Sequence, residues 1–333
     1  MSSELVLSTA QHPRQTPGDL ANDCHALLIQ QKLTWELLRT NYANLEQVET
    51  RSMEFDQCTV RLQYNPHRIV SSAAKVDDKT IRERKCFLCP GHLPREQRAL
   101  PFDDGYLILI NPFPIFPEHL TIPHREHRPQ LIGDAFGTML DLTRAIGSRY
   151  TVFYNGPRCG ASAPDHVHFQ AGIRHLMPLE HELTRLKATT ARALSAKEVE
   201  VHAISDGLRR FITIESPSAD ALQAAFDSYY AAHQTITAST DEPMLNILSL
   251  WTGDRWQIIL FPRAKHRPDM FFAEGDSKYL LSPASVDLGG LLVVPVEKDF
   301  RRLTPDLVRQ MFAEVCLSDQ AFTTLASELQ RRL

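Results

Sequence analysis

Residues 163–172, APDHVHFQAG, place His166, His168 and Gln170 at alternate positions. In a β-strand, residues i, i+2 and i+4 point to one face. The run therefore predicts two imidazoles and one carboxamide on a single surface. Imidazole is nucleophilic near neutral pH, and a hydrogen bond to one ring nitrogen decides what the other can do. A Gln in the third place can hydrogen-bond but carries no proton. The set suits transfer of a phosphorus group onto a histidine, without a general acid to finish the reaction with water. An edge strand with polar residues on its wet face is the competing reading.

The stretches before this run narrow the choice. YTVFYNGPRCGASAPD (150–165) is rich in strand formers and then turns into a loop of Gly, Ala, Ser and Pro. Such a loop lets backbone N–H groups approach an anion, because Gly removes the Cβ obstacle. Further upstream, RKCFLCPGH (84–92) spaces Cys86 and Cys89 as CxxC. A lone CxxC needs His or carboxylate partners to complete a metal site. His92, His119, His124, His127 and His166 are the nearest candidates, and a redox CxxC is the alternative.

In motif order, CFLCPGH, a His-containing segment, then NG, GAS and HxHxQ, the chain resembles the histidine-triad (HIT) superfamily. The resemblance is to the branch of the galactose-1-phosphate uridylyltransferases, diadenosine tetraphosphate phosphorylases and GDP-hexose phosphorylases. HVHFQA is similar to the run of the GDP-hexose phosphorylases, and CFLCPGH to the zinc knuckle of the uridylyltransferases. The likeness covers roughly residues 60–333. It extends to a bacterial group of that branch that has no assigned reaction.

The resemblance implies His168 as the nucleophile and Gln170 as a donor to a non-bridging phosphoryl oxygen. The hydrolytic branch has a His where Gln170 stands, so the Gln favours a transferase or phosphorylase. It implies a structural zinc held by Cys86, Cys89, His127 and His166, with His127 preferred to His124 from the spacing of IPHREHRPQL (122–131). The bland reading makes those two solvated loop histidines. Asn155, Gly160 and Ser162 are implied as a phosphate cradle. Relatives usually have Pro directly before the first His of the motif, whereas here Asp165 intervenes. It either turns the loop, the preferred reading, or orients a histidine. Arg68, with Ser71 and Lys75, resembles a basic phosphate-binding segment, and Asn111 stands where relatives contact the nucleoside. In the second half Arg263, Lys265 and His266 form a basic cluster that suits a phosphate, or a plain surface loop.

Bulk properties set outer bounds. With 43% apolar residues, 23% charged residues and a net charge of −4, the chain can bury a large core and offers no polyanion groove, so nucleic acid is not an expected partner. The first residues lack the pattern of a signal peptide, and no apolar run is long enough for a membrane helix. Six cysteines do not make a secreted disulfide scaffold, so a reduced, cytoplasmic protein is expected. Relatives are often dimers, which allows a homodimer.

Periodicity predicts a helix over 20–45, a strand over 52–65, strands at 106–110 and 119–123, a helix over 131–148 and two short helices at the C-terminus. DDGYLILINP (103–112) parallels GDRWQIILFP (253–262), and HLTIP (119–123) parallels LLVVP (291–295). The expected class is α+β: a HIT-like antiparallel sheet with flanking helices, packed on one face, in two related halves. The expected division is an N-terminal tail, helix and strand over 1–65, a catalytic half over 66–200 and a second half without catalytic histidines over 201–333.

The expected activity is nucleotidyl transfer or phosphorolysis of a nucleoside-diphosphate sugar through a nucleotidyl-histidine, with phosphate or a sugar phosphate as acceptor. A dinucleoside polyphosphate phosphorylase uses the same residues and is the first alternative. A non-catalytic nucleotide-binding protein is the second.

Overall fold

The structure is a computed structural model that describes residues 19–69, 78–103, 105–196 and 198–333. Helices α1 (Asp19–Thr34) and α2 (Glu36–Leu45) stand where one helix is expected. Trp35 breaks them with an extended backbone, φ −129° and ψ 103°. Leu28, Trp35, Leu38 and Tyr42 nevertheless enter one core, which is why the periodicity reads as continuous. The strand expected over 52–65 is a hairpin of β1 (Glu49–Glu54) and β2 (Thr59–Tyr64), whose turn is closed by Phe55 N–H to the Cys58 carbonyl at 2.8 Å. Helix α3 (Asp78–Glu83) leads into the CxxC segment.

The first half then runs β3 (Ala99–Phe102), β4 (Tyr106–Ile110), β5 (His119–Pro123), α4 (Phe136–Ile146), β6 (Tyr150–Asn155) and β7 (His168–Ile173). Helix α5 (Pro178–Thr190) crosses to β8 (Ala191–Ala196), β9 (Glu200–Ser205), β10 (Arg210–Ser216), α6 (Ala219–Thr237), β11 (Leu245–Trp251) and β12 (Trp256–Pro262). The chain closes with α7 (Asp269–Phe272), α8 (Ser285–Leu288), β13 (Leu291–Val294), α9 (Glu297–Arg302), α10 (Pro305–Val315) and α11 (Asp319–Arg332).

Ten strands form one sheet in the order β3-β4-β5-β7-β6-β11-β12-β10-β9-β8, and a second sheet is ordered β1-β2-β13. Read from either edge to the centre, the large sheet repeats one plan. Three antiparallel strands are followed by a helix, and the last two strands are added with the later one outside. At the centre β6 meets β11, with Asn155 opposite Asn246. The two related halves are therefore real, but their correspondence differs from the one the sequence patterns suggest. GDRWQIILFP forms β12, which occupies the place of β7, not of β4. LLVVP forms β13, which lies outside the large sheet and runs parallel to β2. A buried aliphatic strand reads alike wherever it lies, so only the pairing reveals the equivalence. By pairing, β8 belongs with β9, which starts the second half near residue 191, ahead of the expected 201.

Both faces of the large sheet are covered, which corrects the expectation of helices on one face. Strands β4 and β6 are buried along their whole length, so each face needs a partner layer. Helices α1, α4, α6 and α11 pack on one side. Helices α5, α9 and α10, with the three-stranded sheet, pack on the other. Phe169 and Ala171 point into the first layer. By alternation His168 and Gln170 face the second, toward the segment that follows β2. No helix of the described residues is long and apolar enough to cross a membrane.

Candidate active site

His168 opens β7, and its ring and its peptide group are both held. Nδ1 lies 2.8 Å from the His166 carbonyl, which accepts its proton and leaves Nε2 with a free lone pair. The backbone N–H of His168 donates to Gln130 Oε1 at 2.7 Å. Gln130 Nε2 in turn donates to the His168 carbonyl at 3.1 Å and to the Asn155 carbonyl at 2.9 Å. One buried side chain thus fastens the start of β7 to the end of β6. Burial pushes the His168 imidazolium down to about 4, so the ring is neutral over the physiological range.

His166 precedes the strand and does different work. Its Nε2–H donates to the His124 carbonyl at 2.7 Å, which turns Nδ1 toward Cys86 Sγ at 3.3 Å and Cys89 Sγ at 3.6 Å. His127 Nδ1 is 3.3 Å from Cys89 Sγ. The four donor atoms lie within 4.8 Å of one another. Tetrahedral zinc with two thiolates and two imidazoles needs sulfur–nitrogen separations of about 3.5 Å, which the three close pairs approach, so the cluster could bind a metal. Asp165 Oδ2 stands 3.5 Å from His127 Nε2, and Arg84 holds Asp165 Oδ1 at 2.8 Å. Asp165 sits in the turn preferred in the reading of the sequence, closed by the His166 N–H to the Ala163 carbonyl at 3.2 Å, and its carboxylate also stands beside a histidine. His124 takes no part in the cluster. Its Nδ1 accepts the Glu126 N–H at 3.0 Å, and its ring packs edge-on to Tyr106.

Gln170 lies one full repeat along β7 from His168. Its Oε1 is 3.0 Å from His119 Nε2, the one printed contact of its side chain among the described residues. His119 sits on β5 at the end of the loop 111–118, which contains Pro112, Pro114 and Pro117. Four successive carbonyls of that loop are satisfied by side chains. Asn41 donates to Pro112 O at 2.7 Å, Arg68 to Phe113 O at 2.9 Å, Asn65 to Pro114 O at 3.2 Å and Gln63 to Ile115 O at 3.2 Å. Prolines remove the N–H groups that would otherwise build a turn, so the loop is shaped from outside.

The remaining expected residues divide into two groups. Asn155 Oδ1 accepts from Asn246 Nδ2 at 2.8 Å and from the Ser285 N–H at 3.0 Å, which leaves its own amide donors without a described partner. Gly160 adopts φ +102°, and a Cβ there would stand 2.6 Å from the Ala284 Cβ, so this turn requires glycine. Ser162 is half-buried in the same loop. Arg68 spends one donor on the loop and lies close enough to His119 to lower its basicity. These residues gather on the His168 side of the sheet.

Others do not converge on it as free ligands. Arg263 is fully buried and gives its donors to Asn246 Oδ1 and to the carbonyls of Pro283, Lys265, His266 and Val315, so it buttresses the cradle from behind. Lys265 pairs with Asp269 and Glu314. Asn111 donates to Thr121 Oγ1 at 2.9 Å and accepts the Phe113 N–H, a turn-capping role. Lys75 and Ser71 lie outside the described residues. Gln130, Asn246 and Glu242 are absent from the sequence reading, and His119 enters it only as a candidate metal partner of the CxxC, a role the cluster does not give it. Glu242 accepts from Tyr154 Oη at 2.7 Å and from the Ile132 N–H at 2.5 Å, and Tyr154 also donates to the Gln130 carbonyl at 3.1 Å. Each acts through residues far away in the chain, and only His119, one of several histidines near the CxxC, carried any local signal.

Two families match the chain in series. The first is described as a domain of unknown function, DUF4922, over residues 27–173. The second is the GDPGP1-like C-terminal domain, over residues 189–332. No curated protein matches by sequence. The chain is similar in structure to yeast Ap4A phosphorylase Apa2 in complex with Ap4A, at 18% identity and TM-score 0.62, covering 91% of this chain and 99% of that one. A further structure of yeast Ap4A phosphorylase Apa2 gives 17% identity and TM-score 0.58, covering 85% of this chain and 96% of that one. Each family model covers less than half of the chain, and the structural likeness shows a shared fold over nearly the whole of both chains.

Proposed function

We propose that the protein is a nucleotidyltransferase or phosphorylase that acts on a nucleoside-diphosphate sugar through a nucleotidyl group carried on His168. The observation that carries this reading is the state of His168: buried, neutral, tied through Nδ1 to the His166 carbonyl and left with Nε2 free. The Nε2 lone pair attacks the α-phosphorus. The P–N bond forms as the bond to the bridging oxygen breaks, and the sugar phosphate leaves with that electron pair. An acceptor phosphate oxygen then displaces the imidazole, which recovers its lone pair. Gln170 and Asn155 supply uncharged N–H donors for the non-bridging oxygens, where charge builds up. Inorganic phosphate or a sugar phosphate serves as acceptor.

The Cys86, Cys89, His127 and His166 cluster would hold a structural zinc. Zinc, when bound, supplies a rigid tie between the knuckle and the start of β7. A dinucleoside polyphosphate substrate is the second reading, and the likeness to an Ap4A phosphorylase over nearly its whole length supports it. The reading also allows a homodimer and a cytoplasmic setting. Incubation with nucleotide sugars and dinucleoside polyphosphates, followed by intact-mass measurement, tests it. A stable increase by one nucleotidyl group is expected, lost in His168→Ala. No adduct from any of them would overturn it.

A further inference from the structure

The amide of a glutamine has a donor end and an acceptor end of the same shape. Which end meets an anion decides between attraction and repulsion. In β7 that choice for Gln170 rests on one neighbour. Gln170 Oε1 lies 3.0 Å from His119 Nε2, and the contact is favourable only if that nitrogen carries the proton. The other ring nitrogen determines this. His119 Nδ1 accepts the Ile115 N–H at 3.4 Å, so the ring's proton must sit on Nε2.

We propose that His119 is a positioning residue that holds the Gln170 amide with its NH2 group turned toward the phosphoryl group. The proposal rests on the nucleotidyl-transfer reading of His168 and deepens it. Three features hold His119 in this role. Its backbone is fixed on both sides by Tyr42, whose hydroxyl accepts the His119 N–H and donates to the His119 carbonyl, each at 3.3 Å. Its ring is boxed by Phe116, edge-on at 5.6 Å, and Phe153 at 6.0 Å. The Ile115 N–H that sets its tautomer belongs to the loop whose carbonyls are pinned by Asn41, Gln63, Asn65 and Arg68.

The ring is also kept uncharged. Burial first, and then the nearby Arg68 guanidinium, push its imidazolium down to about 3. A charged ring would have to give both protons away and could not accept from Ile115. The pinned proline loop thus reaches the substrate through three links: loop to imidazole tautomer, imidazole to amide orientation, amide to phosphoryl oxygen.

A double-mutant cycle on the full-length, zinc-supplemented protein tests the coupling. The readout is the single-turnover rate of nucleotidyl-adduct formation. His119→Phe should slow it about tenfold when Gln170 is present and by less than about twofold in the Gln170→Ala background. His119→Gln, which places an amide N–H near the Nε2 position, should recover most of the rate. A purely structural His119 would cost the same in both backgrounds and would not distinguish Phe from Gln; either result overturns the proposal. Imidazole ¹⁵N shifts of the unmodified protein give a readout that needs no turnover. The Nε2–H tautomer is expected from pH 5 to 9, and an Nδ1–H tautomer or a charged ring overturns it. If the unmodified protein forms no adduct at all, the functional reading fails while the tautomer still decides the His119–Gln170 link.

Discussion

The two halves of the large sheet follow one plan and differ at two places. In the first half β7 carries His168 and Gln170 on the face that looks toward the small sheet. In the second half the same strand position is β12, whose Ile259 and Phe261 fill that face with apolar contact. In the first half β4 and β5 are joined by the proline loop 111–118, held from outside by four side chains. In the second half β9 and β10 are joined by the tight turn 206–209, with Gly207 at φ +85°. There Asp206 and Arg209 form a fully buried ion pair at 2.6 Å, and Arg209 also reaches Glu182 and the Leu288 carbonyl. The long loop has its carbonyls satisfied by side chains of other elements. The short turn is held chiefly by its own Asp206, which accepts from the Leu208 and Arg209 N–H groups and from the Arg209 side chain. The two halves thus differ in loop length and strand composition on one shared strand plan.

The largest expected effect is on the catalytic strand. His168→Ala should lower turnover by roughly 10⁴-fold or more, because the remaining donors only position and stabilise charge. Nucleotide binding should persist, as isothermal titration would show. Ile259→Ala in β12 should leave turnover per folded molecule unchanged and cost about 2–5 kcal/mol of stability. If both substitutions abolished turnover equally, the halves would share the chemistry and the contrast would break.

A second test concerns water. A neutral amide at position 170 cannot assist proton transfer, so hydrolysis of the adduct lacks general acid–base help worth roughly 10²–10⁴ in rate. Phosphate or a hexose phosphate should therefore speed substrate consumption strongly over plain buffer. Equal rates would make the protein a hydrolase.

The third effect is on stability alone. Removing one partner of the buried pair with Asp206→Ala should destabilise the protein by about 3 kcal/mol, measured by denaturant unfolding, since buried Arg209 then keeps only Glu182 as its charged partner. The zinc cluster offers the matching test in the first half. Elemental analysis should find close to one zinc per chain, and His166→Ala should lower both zinc content and melting temperature. A metal-free protein of unchanged stability would remove the tie between the knuckle and β7.

What was legible in the sequence is what lies close together along it. Alternation alone put His168 and Gln170 on one face, and CxxC with nearby histidines pointed to the cluster. The α+β class and the duplication also showed, because buried strands leave a mark in composition. The equivalence of β7 with β12 did not, since an aliphatic run does not say which neighbours it pairs with. Gln130 and Asn246 were invisible for a related reason: an amide in a loop or strand becomes a clamp only when a distant strand arrives beside it. Arg263 misled because a basic cluster looks the same whether its donors face a ligand or, as here, five acceptors of the protein itself.

The smallest expected effect is a near-absence of pH dependence, and it separates His168 from an ordinary histidine. Attack needs the neutral ring. An exposed imidazole near 6.5 would be only about one-tenth neutral at pH 5.5. Burial of His168 moves that transition down to about 4, so the folded protein holds the neutral form throughout the range above it. The sign is that of a depressed histidine: the neutral ring is favoured by folding, and both the active form and its contribution to stability are lost as pH falls toward 4. Adduct formation should therefore vary by less than about twofold between pH 5.5 and 8, with an acid limb near 4. Glu242 is the group to control for, because burial raises its carboxyl to about 7 and it holds Tyr154, which donates to the Gln130 carbonyl. Any residual step near neutrality should vanish in Glu242→Gln. A roughly fivefold fall between pH 6.5 and 5.5 that survives in that variant would show that His168 is solvated, and would remove the burial that distinguishes the proposed nucleophile from a surface histidine.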